Sequence, residues 1–400
     1  MLRILLFSAI LLSGFRSSAQ SDTIRFMQYN LLMFPEANPN KAFNMKPITR
    51  YLQPDVIALN EITSITAFDL LISEGLDSNI YESAPYIWDT YLMNGLFYNK
   101  IKLGSLGARF LPTSPRRTCI YTLYYKAQDF SVYPDTLKFE VYLVHLKSSQ
   151  GNENEDLRAA QTAAIRTDMN NQLGVINNLV AGDLNVYTSS EEAYQNLLAS
   201  GNGQYFDPIN RPGNWNNNTA FKDIHTQSPR TASFDNGVTG GLDDRFDFIL
   251  ATGDIISGSA GLRYIPGSYE TVGNDGQHFN TSIIAQPENT SAPDSVIQAL
   301  HAMSDHLIVI MDVEVIPENI FTGIPKQANY SCPVFIPGQQ LFNPELYDSI
   351  CLKDLAGRVV LEISDDNPYQ RVELSPGIYL ISTLQKDGKS CFSKIRVLEQ

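Results

Sequence analysis

Short apolar runs, each about as long as one β-strand, recur along most of this chain and are broken by Gly, Pro, Asn and Asp. They fall at residues 24–29, 56–59, 96–98, 120–125, 139–145, 175–180, 246–250 and 308–315. Helical spacing is rarer. It is clearest over 155–171, where Leu157, Ala160, Ala164 and Ile165 lie near one face. Strands therefore outnumber helices, a pattern that suits two packed sheets flanked by helices.

With 400 residues, 43% of them hydrophobic and 18% charged, the chain has enough apolar content for a large core and is unlike a disordered segment. Its formal charge of -14 repels polyphosphates at long range, so nucleic acid would need a local basic patch or a bound metal. The N-terminus carries Arg3, an apolar stretch over 4–12 and small residues before Gln20, and reads as a signal peptide spanning 1–19. No later segment is apolar for long enough to span a bilayer, so a secreted or cell-surface protein without a transmembrane segment is expected after signal removal. Cys119, Cys332, Cys351 and Cys391 lack metal-ligand spacing; a disulfide among the last three and free thiols both stay open.

Residues 201–241 and 267–293 are rich in turn formers and read as loops, and 296–301 leads into the last strand of a domain covering 22–315. A linker texture follows over 316–331. Residues 332–400 then hold only short strands, at 347–352, 358–363, 370–374, 378–384 and 391–397, which suggests a small all-β sandwich.

Chemistry-bearing side chains stand at or beside the ends of the predicted strands of the large domain: Asn30, Glu61, His145, Asp183 with Asn185, Asp247, and Ser304-Asp305-His306. Glu, Asp and Asn are hard oxygen ligands, few enough to leave positions for water and phosphate on Mg²⁺. Asp183 and Asn185 are two apart, so an extended chain points both to one side, where they can grip a water molecule. The histidines are the groups available to hold a phosphate's charge, and Asp247 can orient His306. Lys147 lies two residues beyond His145 on the same side of the strand, within reach of phosphate or of solvent. His225, His278 and His301 lack such company and read as loop or surface residues; Tyr121, Tyr124 and Tyr125 read as core.

The order Asn30, Leu59-Asn60-Glu61-Ile62, Val144-His145-Leu146-Lys147-Ser148, Gly182-Asp183-Leu184-Asn185, Arg245-Phe246-Asp247-Phe248-Ile249 and Ser304-Asp305-His306 resembles the endonuclease/exonuclease/phosphatase superfamily. The resemblance implies a four-layer α/β sandwich of two mixed β-sheets flanked by helices, and hydrolysis of a phosphoester by activated water. It also implies a divalent cofactor, Mg²⁺ with Mn²⁺ or Ca²⁺ as alternatives. It assigns Glu61, Asn30 and Asp305 to the metal, Asp183 to the water's proton, Asn185 to its orientation, and His145 and His306 to the phosphate, with Asp247 behind His306. Arg117 resembles a family arginine near the phosphate, and Arg158 matches a family helix position. Members often carry Gln before the motif glutamate; this chain has Asn60. Asn94 is the candidate to orient His145.

Three further stretches, 352–360, 372–380 and 394–397, resemble a type IX secretion sorting domain, which implies the secretion machinery as a partner. The leading expectation is a secreted nuclease-like phosphodiesterase, since an exported scavenger meets extracellular nucleic acid. A sphingomyelinase-like or inositol/sugar-phosphate phosphatase is the alternative. A non-catalytic surface-binding module on the same fold is the rival from another class.

Overall fold

The computed structural model describes residues 22–90, 92–126, 137–172, 177–316, 347–354, 358–364, 377–385 and 390–397. The expected leader at 1–19, most of the linker, the strand expected at 370–374, Cys332 and the start of the 175–180 run lie outside them. The chain divides into two units, Met1–Phe321 and Thr322–Gln400.

In the first unit the chain builds one sheet, leaves it for a second, and returns. Strands β1 (Thr23–Phe34), β2 (Val56–Ile62), β3 (Tyr81–Ser83) and β4 (Met93–Asn99) belong to the first sheet. Strands β5 (Leu103–Leu111), β6 (Thr118–Tyr125), β7 (Lys138–His145), β8 (Asn178–Asp183), β9 (Tyr205–Phe206) and β10 (Asp247–Thr252) make the second. The return strands are β11 (Leu262–Tyr264), β12 (Glu270–Val272) and β13 (Ile308–Val315). Among the described residues the order is β11-β13-β1-β2-β4-β3 in the first sheet, with β12 also on β13, and β5-β6-β7-β8-β10-β9 in the second. Both sheets are mixed: β1 pairs with β2 in parallel and with β13 antiparallel, while β7 and β8 are parallel and β8 and β10 antiparallel.

Side-chain alternation makes the layers. Phe26, Val56, Ala58, Val141, Leu143, Leu179, Ala181 and Ile249 point between the sheets. The neighbours Met27, Tyr29, Ile57 and Leu59 point the other way, into a core with helices α1 (Met45–Leu52), α2 (Thr66–Leu70) and α6 (Asp294–Met303). Tyr142, Val144, Val180, Phe248 and Leu250 pack similarly against α3 (Asn152–Asn171) and α4 (Glu192–Leu198). A short α5 (Gly253–Ser257) follows β10. The order helix, sheet, sheet, helix is the four-layer sandwich expected. Because both strand faces are buried, the runs are nearly continuously apolar.

Burial also corrects the reading of two histidines. His225 and His278 are 0% and 1% exposed, held by the Trp215 carbonyl and by Asp275 with two backbone carbonyls. No helix among the described residues is long and apolar enough to cross a membrane. Cys119 is a buried free thiol, and Cys351 is also free. The second unit carries β14 (Tyr347–Asp354), β15 (Val359–Ser364), β16 (Gly377–Gln385) and β17 (Ser390–Val397), paired antiparallel in the order β15-β14-β16-β17.

Candidate active site

Strand register alone gathers most of the site. His145 at the end of β7 pairs with Asp183 at the end of β8, and Asp183 pairs with Asp247 at the start of β10. In the other sheet, Asn30 of β1 pairs with Asn60 of β2, immediately before Glu61. His306 stands two residues before β13, the neighbour of β1.

The backbone departs from regular strand where the chemistry sits. Glu61 has φ 60°, in the left-handed region, at a cost of about 1–3 kcal/mol for a residue with a Cβ. Two bonds offset that cost: Glu61 Oε2 accepts the Met33 amide at 3.0 Å and Oε1 accepts Asn30 Nδ2 at 3.0 Å. Gly182 has φ 143°, and a Cβ there would lie 1.9 Å from the Val144 carbonyl oxygen. Only glycine lets β8 approach β7 closely enough to set Asp183 beside His145.

Asn30 Nδ2 also reaches Asp183 Oδ2 at 3.1 Å, so one amide joins the two carboxylates. His145 Nε2 is 3.7 Å from both Glu61 Oε1 and Asp183 Oδ2. Burial, reinforced by Arg116 and His306, holds the His145 imidazole well below its usual pKa and therefore neutral. Burial pushes the Asp183 carboxyl up to about 7, against the pull of His306. His306 Nδ1 is 2.7 Å from Asp247 Oδ2, and its Nε2 is 3.8 Å from Asp183 Oδ2. Burial alone would depress His306, but Asp247 and Asp183 overcome this and hold it well above the usual range.

These groups fit a divalent cation. Glu61, His145 and Asp183 each offer a ligand atom, all within 4.8 Å of one another. Two carboxylates share one neutral amide donor and only Asp183 faces the His306 cation, so negative charge is left for a cation to neutralise, and the neutral imidazole beside them has a lone pair to give. Asn30 joins these carboxylates through its nitrogen, while its Oδ1 accepts the Leu32 amide at 3.0 Å. The Asp305 carboxylate, expected at the metal, accepts the Val238 amide at 2.7 Å and stands outside this three-residue group.

Three other expectations need correction, those for the Asp183–Asn185 spacing, Lys147 and Asn94, and the structure also places the two matched arginines. Asp183 and Asn185 are not in extended chain: β8 ends at Asp183, Asn185 has φ 51°, and the Asn185 amide donates to Asp183 Oδ1 at 3.0 Å. A turn, not strand alternation, brings them together. β7 ends at His145, so Lys147 is not on its strand; Lys147 Nζ donates to the Ser148 carbonyl at 2.8 Å. Arg117 donates to the Trp88 carbonyl at 2.7 Å and lies over the Phe110 ring at 4.3 Å. Its neighbour Arg116 is the one that donates to the Leu146 carbonyl behind His145, at 2.7 Å. Arg158 is structural, clamping the Lys147 and Ser149 carbonyls and Glu191. Asn94 bonds the Leu143 and Arg117 carbonyls rather than His145, whose Nδ1 has no partner among the described residues.

Two residues escaped the sequence reading. Asn60 uses every polar position: it accepts from Gln28 and from the Asp183 amide, and donates to Asn94 and to the Val144 carbonyl. It therefore ties the ends of both sheets together, and its only sequence signal was standing where relatives often have Gln. Gln227, in a long loop, brings its side-chain amide within 2.7 Å of His306 Nε2. No spacing pattern marks it.

Proton linkage gives a test of the carboxylate pocket. Asp183 holds its proton up to about 7 in the folded chain, against about 4 when unfolded. Between those values the folded state binds more protons, so this group's contribution to stability falls as pH rises. With chelator present, Asp183→Asn is expected to gain stability relative to wild type between about pH 5 and about pH 8. Mg²⁺ should reverse the ranking at the upper pH, since the ionised carboxylate binds the cation better. Urea unfolding of both proteins reads this out, and parallel pH curves would contradict it.

Two face-to-face mixed sheets with carboxylate, amide and imidazole groups meeting on their common rim define a layered phosphoesterase. The chain belongs to the Endonuclease/Exonuclease/phosphatase family, whose model matches residues 27–306. The members of that family hydrolyse phosphoester bonds. Similar solved structures include the human Nocturnin catalytic domain with bound sulfate, at 16% identity, 74% of this chain, 98% of that one and TM-score 0.46. Another is D. rerio TDP2 complexed with single-strand DNA product, at 15% identity, 73% and 98% coverage and TM-score 0.47. A third is a mannosyl-6-phosphatase of Bacteroides thetaiotaomicron, at 12% identity, 72% and 99% coverage and TM-score 0.46. The comparison with curated proteins finds no match.

Proposed function

We propose that the chain is a secreted, Mg²⁺-dependent hydrolase of phosphodiesters with nuclease-like specificity. The observation that supports it best is the meeting of Glu61, His145 and Asp183 within 4.8 Å, beside the Asp247–His306 pair. Glu61, His145 and Asp183 would hold a divalent cation, which would supply neutralisation of the phosphate's negative charge. Asp183, with Oδ1 fixed by the Asn185 amide, takes the proton of the attacking water, and the turn at Asn185 presents that water. His306, kept cationic by two carboxylates and aligned by Asp247, holds the charge that develops on phosphate. Asn30 sets the spacing of the two carboxylates, and Asn60 sets the Asp183 backbone.

Hydrolysis of a generic aryl phosphodiester is expected to stop in chelator and to return when Mg²⁺ is restored. Activity that persists in chelator, or in Asp183→Ala, would defeat this mechanism. A parallel assay on DNA, RNA, sphingomyelin, inositol phosphates and simple monoesters then ranks substrates. Export is part of the proposal: leader 1–19, hydrolase domain 22–315, linker 316–331 and sorting domain 332–400, supported by the sequence patterns at each end. The mass of the mature N-terminus checks it, a chain starting at Gln20 being the expected product.

A further inference from the structure

One end of the catalytic rim carries exposed aromatic side chains and two arginines. In the first sheet β4 lies beside β2, and Met93 at its start pairs with Ile62, so the segment before β4 borders Glu61. In the second sheet β6 lies beside β7, and Cys119 pairs with Leu143, so the β5–β6 connection borders His145. The first of these segments carries Trp88, the second Arg116 and Arg117, and Phe110 stands near the end of β5 just before the second.

Trp88 is 55% exposed and Phe110 43% exposed, so both present aromatic surface to a ligand. Arg117 lies over the Phe110 ring and donates to the Trp88 backbone carbonyl, while its own amide donates to Asp89 Oδ2 at 2.7 Å. Arg116 links this ledge to the catalytic histidine through the carbonyls of Leu146 and His145.

We propose that Trp88, neighbouring Arg117 in the fold, is a stacking ledge for the nucleobase next to the scissile phosphate of a single-stranded nucleic acid. The proposal rests on the phosphoester-hydrolase reading and names the substrate of that same site. A base offers a flat π face to an indole whatever its identity, and the neighbouring strand phosphates suit the two arginines. That pairing answers the chain's overall charge of -14: the strand meets local cations on this side of the rim. In a duplex both faces of a base are already covered by stacking, so the ledge selects unpaired strand.

Trp88 also reports on itself. The chain has two tryptophans, and the other, Trp215, is 0% exposed, so a stacking base acts on Trp88 emission. The test titrates the full-length Asp183→Asn variant, whose lowered turnover spares the strand, in Mg²⁺ with oligothymidylate and with an abasic strand of equal length. Quenching by the first and not by the second is expected, and Trp88→Ala added to that variant abolishes it. In otherwise wild-type protein, Trp88→Ala is expected to raise KM on the single strand about ten-fold, with kcat within about two-fold and Trp88→Phe close to wild type. Equal quenching by both strands, no quenching, or an equal KM rise on the abasic strand overturns the ledge. Chelator-sensitive turnover of an aryl phosphodiester with no quenching would sink the ledge while leaving the hydrolase reading intact. Absence of any turnover by the wild type would instead sink the hydrolase reading, and with it the proposal.

Discussion

Asp183→Asn is expected to lower kcat on any accepted phosphodiester by about 10³-fold, the middle of the range for a general base. The change keeps the side chain's shape, so the Asn185 amide can still bond the remaining oxygen. It removes the charge that faces His145 and His306, at 3.7 and 3.8 Å, and the basic site that receives a proton. His306 also loses one of the two carboxylates that hold it cationic, so the base and the phosphate-holding group weaken together. The effect should therefore fall on kcat more than on KM, and steady-state kinetics separate the two. A loss below about ten-fold would mean that another group takes the proton.

The second large effect is on stability. Asp207→Ala is expected to destabilise the first unit by about 3–5 kcal/mol, because it strands a charge in the core. Arg245 is 1% exposed and donates to Asp207 Oδ2 at 2.8 Å and Oδ1 at 3.0 Å, a two-pronged pair that also takes the Tyr194 hydroxyl at 3.0 Å. The guanidinium lies 4.1 Å from the centre of the Phe248 ring, with no solvent to replace the lost carboxylate. Removing both partners should cost much less, so Asp207→Leu with Arg245→Met is expected to recover most of the loss. Urea midpoints decide it, and a single-variant loss under about 1 kcal/mol would show that the pair is not needed. Arg245 stands two residues before Asp247, so the single variant should also lower activity at equal folded fraction.

Much of the architecture was legible because strands buried on both faces leave an unmistakable apolar run. The runs at 139–145 and 308–315 match β7 and β13, and the helical spacing over 155–171 lies within α3. Among the described strands of the first unit, five were not anticipated: β5 (Leu103–Leu111) has nine residues, but Gly104, Ser105, Gly107 and Arg109 break its apolar run at a sheet edge, and β3, β9, β11 and β12 have two or three residues each and add to sheet edges where pairing with an existing strand suffices. Periodicity needs several residues to show, so such pieces leave no pattern. In the site, motif order identified Glu61, His145, Asp183, Asp247 and His306 as candidates, and the fold brings them to one rim. It could not choose between adjacent arginines, because neighbours in a turn point to different surroundings whatever their spacing.

Residue type and order alone determined the two-sheet class and which side chains carry donor and acceptor chemistry, since both follow from local polarity and strand length. Tertiary structure decided which of those groups meet. Asn60 ties two sheets, Gln227 reaches His306, and Asp305 bonds Val238, all through contacts between segments far apart in the chain. A one-dimensional pattern records what each segment offers a neighbour; the neighbour itself is set by how the layers stack.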